Sequence, residues 1–70
     1  MLELLQIIKA LNSGDRAILK DLCDNAVNDT IGFIDLVEVI ETMYELTPYQ
    51  LRRLERVINN GSYESAFKVA

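Results

Sequence analysis

The stretch Thr47-Pro48-Tyr49-Gln50-Leu51-Arg52-Arg53-Leu54-Glu55-Arg56-Val57-Ile58-Asn59-Asn60-Gly61 decides how the chain is read. It carries a start signal and a stop signal around one helical period. A threonine hydroxyl accepts a backbone N–H that would otherwise lack a partner, and proline at the first helical position gives up an N–H that would be unbonded there. Asn60-Gly61 is the matching stop, because glycine enters the left-handed conformation at low cost. Between these signals Leu51, Leu54, Val57 and Ile58 recur at helical spacing, which predicts a helix to about Asn60 that buries this side. Beyond Gly61, Ser62 can cap a last short helix in which Tyr63, Ala66 and Phe67 form a small apolar face.

Upstream, the same period predicts a helix from about Ile31 to Glu45, with Phe33, Leu36, Val37, Val39, Ile40, Met43 and Tyr44 on one face. Its β-branched residues leave a strand as the second reading of this segment. Asn28-Asp29-Thr30 breaks the chain before it. A helix ending near Ala26 precedes the break, with Ile18, Leu19, Leu22, Cys23 and Ala26 inward and Ser13 or Asp15 as its cap. Asn12-Ser13-Gly14 separates it from a first helix, from about Leu2 to Leu11, whose Leu4, Leu5, Ile7, Ile8 and Leu11 oppose Glu3, Gln6 and Lys9. The expected fold is therefore all-α: one domain over residues 1–70, a compact bundle of four helices plus a short C-terminal helix.

Composition narrows the chemistry. Half of the 70 residues are apolar, yet there is no histidine, no tryptophan and one cysteine. Without histidine the chain lacks the side chain whose ordinary pKa suits proton transfer near neutrality. No nucleophile stands beside a base in the sequence, and the turns around Gly14 and Gly61 are single-glycine turns rather than a phosphate loop. No enzyme activity, metal or cofactor is expected. Cys23 falls on the apolar side of its helix, where a thiol acts as a small core residue. A lone cysteine with no secretion signal points to the reducing cytoplasm. The opening MLELLQIIKAL is short, contains Glu3 and lacks a basic leader, so it reads as neither signal peptide nor membrane span.

Charge is the best functional lead. Residues 1–45 hold nine carboxylates and three cations, a net of −6; residues 46–70 hold two and four, a net of +2; together they give the chain's −4. Asp35, Glu38, Glu41 and Glu45 stack at spacings of three and four, which makes either a solvated face or an acidic surface for a basic partner. Tyr49, Arg52, Arg53 and Arg56 share the side of their helix opposite the leucines. Guanidinium forks beside an aromatic ring can grip carboxylates, phosphates or bases. The two charged faces could also pair across copies of the chain. Leu2, Ile31 and Ile34 lie outside the inner apolar stripes and are candidate self-association residues.

Two resemblances bear on function. Gly32-Phe33-Ile34-Asp35-Leu36-Val37-Glu38 resembles the second half of an EF-hand calcium loop, in which glycine makes the sharp turn and the final glutamate supplies two oxygens. That resemblance implies a calcium-binding helix pair with Asp29, Asp35 and Glu38 as ligands. The sequence departs from it where Val27 and Ile31 occupy ligand positions. The stretch LTPYQLRRLERVINNGSYESAFKVA resembles the opening of a helix-turn-helix unit, with a capped helix, a glycine and a short helix of small residues. A DNA reader of that kind adds a turn and a recognition helix, which these residues do not contain.

The function expected from this reading is a small protein-interaction module, an adaptor, regulator or inhibitor acting by surface binding, that self-associates. The alternative is a nucleic-acid-associated regulator using the Tyr49, Arg52, Arg53 and Arg56 face. The overall acidity weighs against nucleic acid as the main partner. The minor alternative is a degenerate calcium module of EF-hand type.

Overall fold

The structure, a computed structural model, describes residues 4–69. Five helices form in chain order: α1 Leu4–Ala10, α2 Ser13–Asn28, α3 Thr30–Glu41, α4 Pro48–Asn59 and α5 Tyr63–Val69. The all-α expectation holds, and no strand occurs among the described residues. The predicted strand alternative for the third segment is thereby overturned: its apolar residues pack at the 3.6 period.

The helix ends follow from named capping groups, and several differ from the sequence reading. Asn12, rather than Ser13 or Asp15, caps α2, accepting the Asp15 N–H at 2.8 Å. α2 then continues two residues past Ala26 to Asn28. Only Asp29 separates α2 from α3; it is extended (φ −149°, ψ 124°) and its carboxylate accepts the Ile31 N–H at 3.0 Å. Thr47 and Gln50 make a reciprocal capping box at the start of α4, at 3.0 and 3.2 Å. At the α4–α5 corner Gly61 adopts φ +79°, the conformation expected of it. The side-chain oxygen there comes from Asn60, which accepts the Ser62 N–H at 2.8 Å, and not from Ser62.

α3 stops at Glu41, four residues earlier than its apolar pattern predicts. The Thr42 hydroxyl donates to the Val39 carbonyl at 2.6 Å, and the N–H groups of Met43 and Tyr44 both donate to the Ile40 carbonyl, tightening the last turn. Residues 45–47 then run outside any helix to Pro48, from which Leu46, like Tyr44 before it, still packs against the core.

Each helix contributes to one apolar core: Ile7 and Ile8 from α1, Leu19, Cys23 and Ala26 from α2, Leu36 and Ile40 from α3, Leu54 and Ile58 from α4, and Tyr63 from α5. α2 is the central element, packed along α3 and touching α4 and α5, while α5 also rests on α1. The α2–α3 pair is antiparallel, since Gly32 meets Asn25 and Ala26 at one end and Val39 and Met43 meet Ile18 and Leu22 at the other. The radius of gyration, 10.8 Å, matches the roughly 11 Å expected for a well-packed chain of this length.

Gly32 explains how closely α2 and α3 meet. A Cβ built there would lie 2.8 Å from the Asn25 carbonyl oxygen and 3.2 Å from the Ala26 nitrogen. Both are backbone atoms that no side-chain rotation can move. The glycine therefore serves helix contact rather than the turn of a calcium loop, and the EF-hand expectation fails here. Positions 27–38 are two helices with one residue between them, the Asp29 carboxylate is occupied as a cap, and no cluster of potential metal ligands occurs among the described residues.

Candidate interaction surface

The core leaves a surplus of apolar surface. Ile18 is 59 % exposed, Met43 44 % and Val39 38 %, against the expectation that all three face inward. The apolar arc predicted for α3 is broader than the strip α2 covers, so Val39 stays at its uncovered edge. Met43 lies past the end of the helix, and Ile18 sits at the edge of α2 that faces the end of α3, where it is only partly covered. These three residues, with Leu11, Leu19 and Leu22, line a groove of about 210 Å³ between α2 and α3, with Asp15 and Thr42 also lining it. Sequence periodicity missed this site because all three residues match the inward pattern.

The arginine face is assembled as its spacing predicts. Tyr49, Arg52, Arg53 and Arg56 lie on the outer side of α4 and, with Val57, line a hollow of about 270 Å³. Tyr49 is 54 % exposed. Arg52 and Arg56 form no ion pair with any described residue.

The predicted acidic stripe loses one member. Asp35, Glu38 and Glu41 are exposed on α3, whereas Glu45 lies beyond its end in the linker to α4. None of the four forms an ion pair with a described residue. Ile31 and Ile34 are also exposed and, by helical spacing, share the outer side of α3 with Glu38 and Glu41. Leu2 lies outside the described residues.

One polar cluster is structural. Lys20 donates to both carboxylate oxygens of Asp24 at 2.7 and 2.9 Å, and the Tyr63 hydroxyl donates to the same Asp24 at 2.7 Å. The Lys20 ammonium also lies 5.4 Å from the Tyr63 ring centre. The bonds from Lys20 and then Tyr63 hold the Asp24 carboxyl below its ordinary pKa; the bond to Asp24, followed by burial, pushes the Tyr63 hydroxyl well up. This contact joins residues 39 apart in sequence and fixes α5 to α2. Arg16 ties α1 to α2 in a similar way, its guanidinium donating to the Ile8 carbonyl at 2.9 Å near the end of α1.

Burial pushes the Cys23 thiol up to about 12, which removes the thiolate needed for reactivity at neutral pH. No helix among the described residues is long and apolar enough to cross a membrane. No protein-family model, curated protein or solved structure matches this chain.

Proposed function

We infer that this protein is a small, non-enzymatic interaction module whose α2–α3 groove receives an amphipathic helix of a protein partner, so that it acts as an adaptor, regulator or inhibitor by occupying a surface. The carrying observation is the convergence of exposed Ile18, Val39 and Met43 on one groove floored by Leu19 and Leu22. Helix-in-groove recognition uses this arrangement: anchors at helical spacing enter an apolar furrow while charges at its rim set orientation. Methionine suits such a surface because its flexible thioether adapts to different anchors. Asp15 at the groove and the net −6 of residues 1–45 favour a partner helix with basic flanks.

The test is a chemical-shift titration of the labelled protein with a model amphipathic helix of alternating leucine and lysine blocks. Saturable shifts should concentrate at Ile18, Leu22, Val39 and Met43 and vanish in Ile18→Asp, a substitution at an exposed position whose helical spectrum should match the wild type's. Shifts spread evenly over the acidic surface, or retained unchanged in Ile18→Asp, would show charge attraction alone and refute the groove reading.

A further inference from the structure

Two outer helix faces of this chain are matched to each other in charge and spacing. On α3 the outward row is Ile31, Ile34, Glu38 and Glu41, with Asp35 beside it; Ile31 is 67 % and Ile34 50 % exposed. On α4 the outward row is Tyr49, Arg52 and Arg56, with Arg53 beside it. Each row therefore begins with exposed apolar or aromatic surface and continues into charge of one sign.

Along each row like charges lie close together. Arg52 and Arg56 are like charges four residues apart, and Asp35, Glu38 and Glu41 are like charges three apart; such neighbours repel along a helix. None of these five has an ion-pair partner among the described residues. The repulsion is relieved when a surface of opposite sign arrives, and the chain itself presents one.

The spacing gives a register. Ile34 to Glu41 and Tyr49 to Arg56 are each seven residues, about 10.5 Å along a helix. We propose that α3 of one copy docks in parallel on α4 of a second copy, with Ile34 against the Tyr49 ring, Glu38 at Arg52 and Glu41 at Arg56. The hollow lined by Tyr49, Arg52, Arg53, Arg56 and Val57, about 270 Å³, receives the carboxylate ends, and guanidinium forks match carboxylates two oxygens at a time. The contact joins two different faces, so it is head-to-tail: every added copy presents a fresh α3 and a fresh α4 face, and assembly grows past a dimer unless a ring closes. It uses neither Ile18, Val39 nor Met43, and so stands or falls separately from the groove.

The test is solution mass by sedimentation across a dilution series, on the full chain. At low ionic strength the average mass should rise with concentration beyond that of a dimer or to a fixed ring. It should fall towards the monomer in about 1 M salt, where charges are screened within about 3 Å. The double variants Arg52→Glu with Arg56→Glu, and Glu38→Arg with Glu41→Arg, each make both faces the same sign. Each should stay monomeric at all concentrations with an unchanged helical spectrum. Their equimolar mixture should recover assembly, because each now carries the complement of the other.

Three outcomes overturn the proposal: a monomeric wild type throughout, assembly that survives either reversal, or folded variants whose mixture stays monomeric. A monomeric wild type that binds single-stranded oligonucleotide, with binding lost in Arg52→Glu with Arg56→Glu, would give the α4 face to nucleic acid instead. If a reversal variant fails to fold, Arg52→Gln with Arg56→Gln and Glu38→Gln with Glu41→Gln replace the pair, and assembly must fall at least tenfold in both.

Discussion

Gly32→Ala separates two accounts of this fold by the sign of one number. Glycine inside a helix is about 1 kcal/mol less favourable than alanine, so local propensity alone makes this a stabilising change. The packing argues the other way. The new Cβ would lie 2.8 Å from the Asn25 oxygen and 3.0 Å from the Asn25 carbonyl carbon, whereas ordinary contact begins near 3.4 Å. Both atoms belong to the backbone of α2, so relief requires α3 to move away by about half an ångström. A gap of that size forfeits about a quarter of the dispersion well of each contact across it. Ala26, Cys23, Leu36 and Ile40 lie in that interface or the core beside it, and overpacking of this kind costs about 1–3 kcal/mol.

Set against the gain in propensity, the net expectation is a loss of up to about 2 kcal/mol, or a melting temperature lower by up to roughly 15 °C for a domain this small. Urea unfolding followed by circular dichroism reads the change directly. Gly14→Ala is the internal control: its nearest neighbour is the Asn12 side-chain oxygen at 3.4 Å, so the same substitution there should be neutral or slightly stabilising. A Gly32→Ala protein more stable than the wild type by the about 1 kcal/mol that propensity alone supplies would refute the close approach of α2 and α3.

Tyr63→Phe should cost about 1 kcal/mol at neutral pH, a modest value because the Asp24 side chain is 45 % exposed and its interactions are screened. The folded pKa of Asp24 is depressed, so its contribution is present above the unfolded value near 4 and is lost as pH falls through the folded value; that of Tyr63 is raised, so its share is present below about pH 10 and is lost as pH climbs through the folded value. The stability difference between wild type and Tyr63→Phe should therefore be flat from about pH 5 to 9 and shrink on both sides, and a difference unchanged below about pH 3 would refute the Asp24 contact. Cys23, buried and with its pKa pushed up to about 12, should react with a thiol reagent at mildly alkaline pH only as fast as the protein opens, so the rate should rise with denaturant; immediate labelling of the native protein would place the thiol outside the core.

The boundaries of α4 were legible because its signals are local. Thr47, Pro48 and Gln50 satisfy or remove backbone donors within one turn, and Gly61 supplies a positive φ that other residues resist. The segregation of charge was legible for the same reason, since residues three and four apart on a helix share a side wherever the helix lies. The capping competition around residues 12–15 was not settled by composition: Asn12, Ser13 and Asp15 all offer an oxygen, and the path of the chain between α1 and α2 selects Asn12.

The helical period, the positions of the breaks and the charged sides of α3 and α4 are consequences of chemistry within a turn or two of chain, so they can be read along the sequence. Tertiary structure alone decided which apolar residues are covered. Ile18 and Val39 fit the inward pattern as well as Leu19 and Leu36 do, yet one pair is exposed and the other buried. A helical pattern marks an arc, and the neighbour that covers part of that arc comes from elsewhere in the chain. The same holds for Gly32, whose sequence context resembles a calcium loop but whose role is set by the Asn25 carbonyl of another helix, and for Tyr63, whose hydroxyl finds Asp24 only because α5 folds back onto α2. The groove lies at the far end of the α2–α3 pair from Gly32, where Ile18, Val39 and Met43 stay partly uncovered and the Thr42 hydroxyl, donating to the Val39 carbonyl, helps end α3.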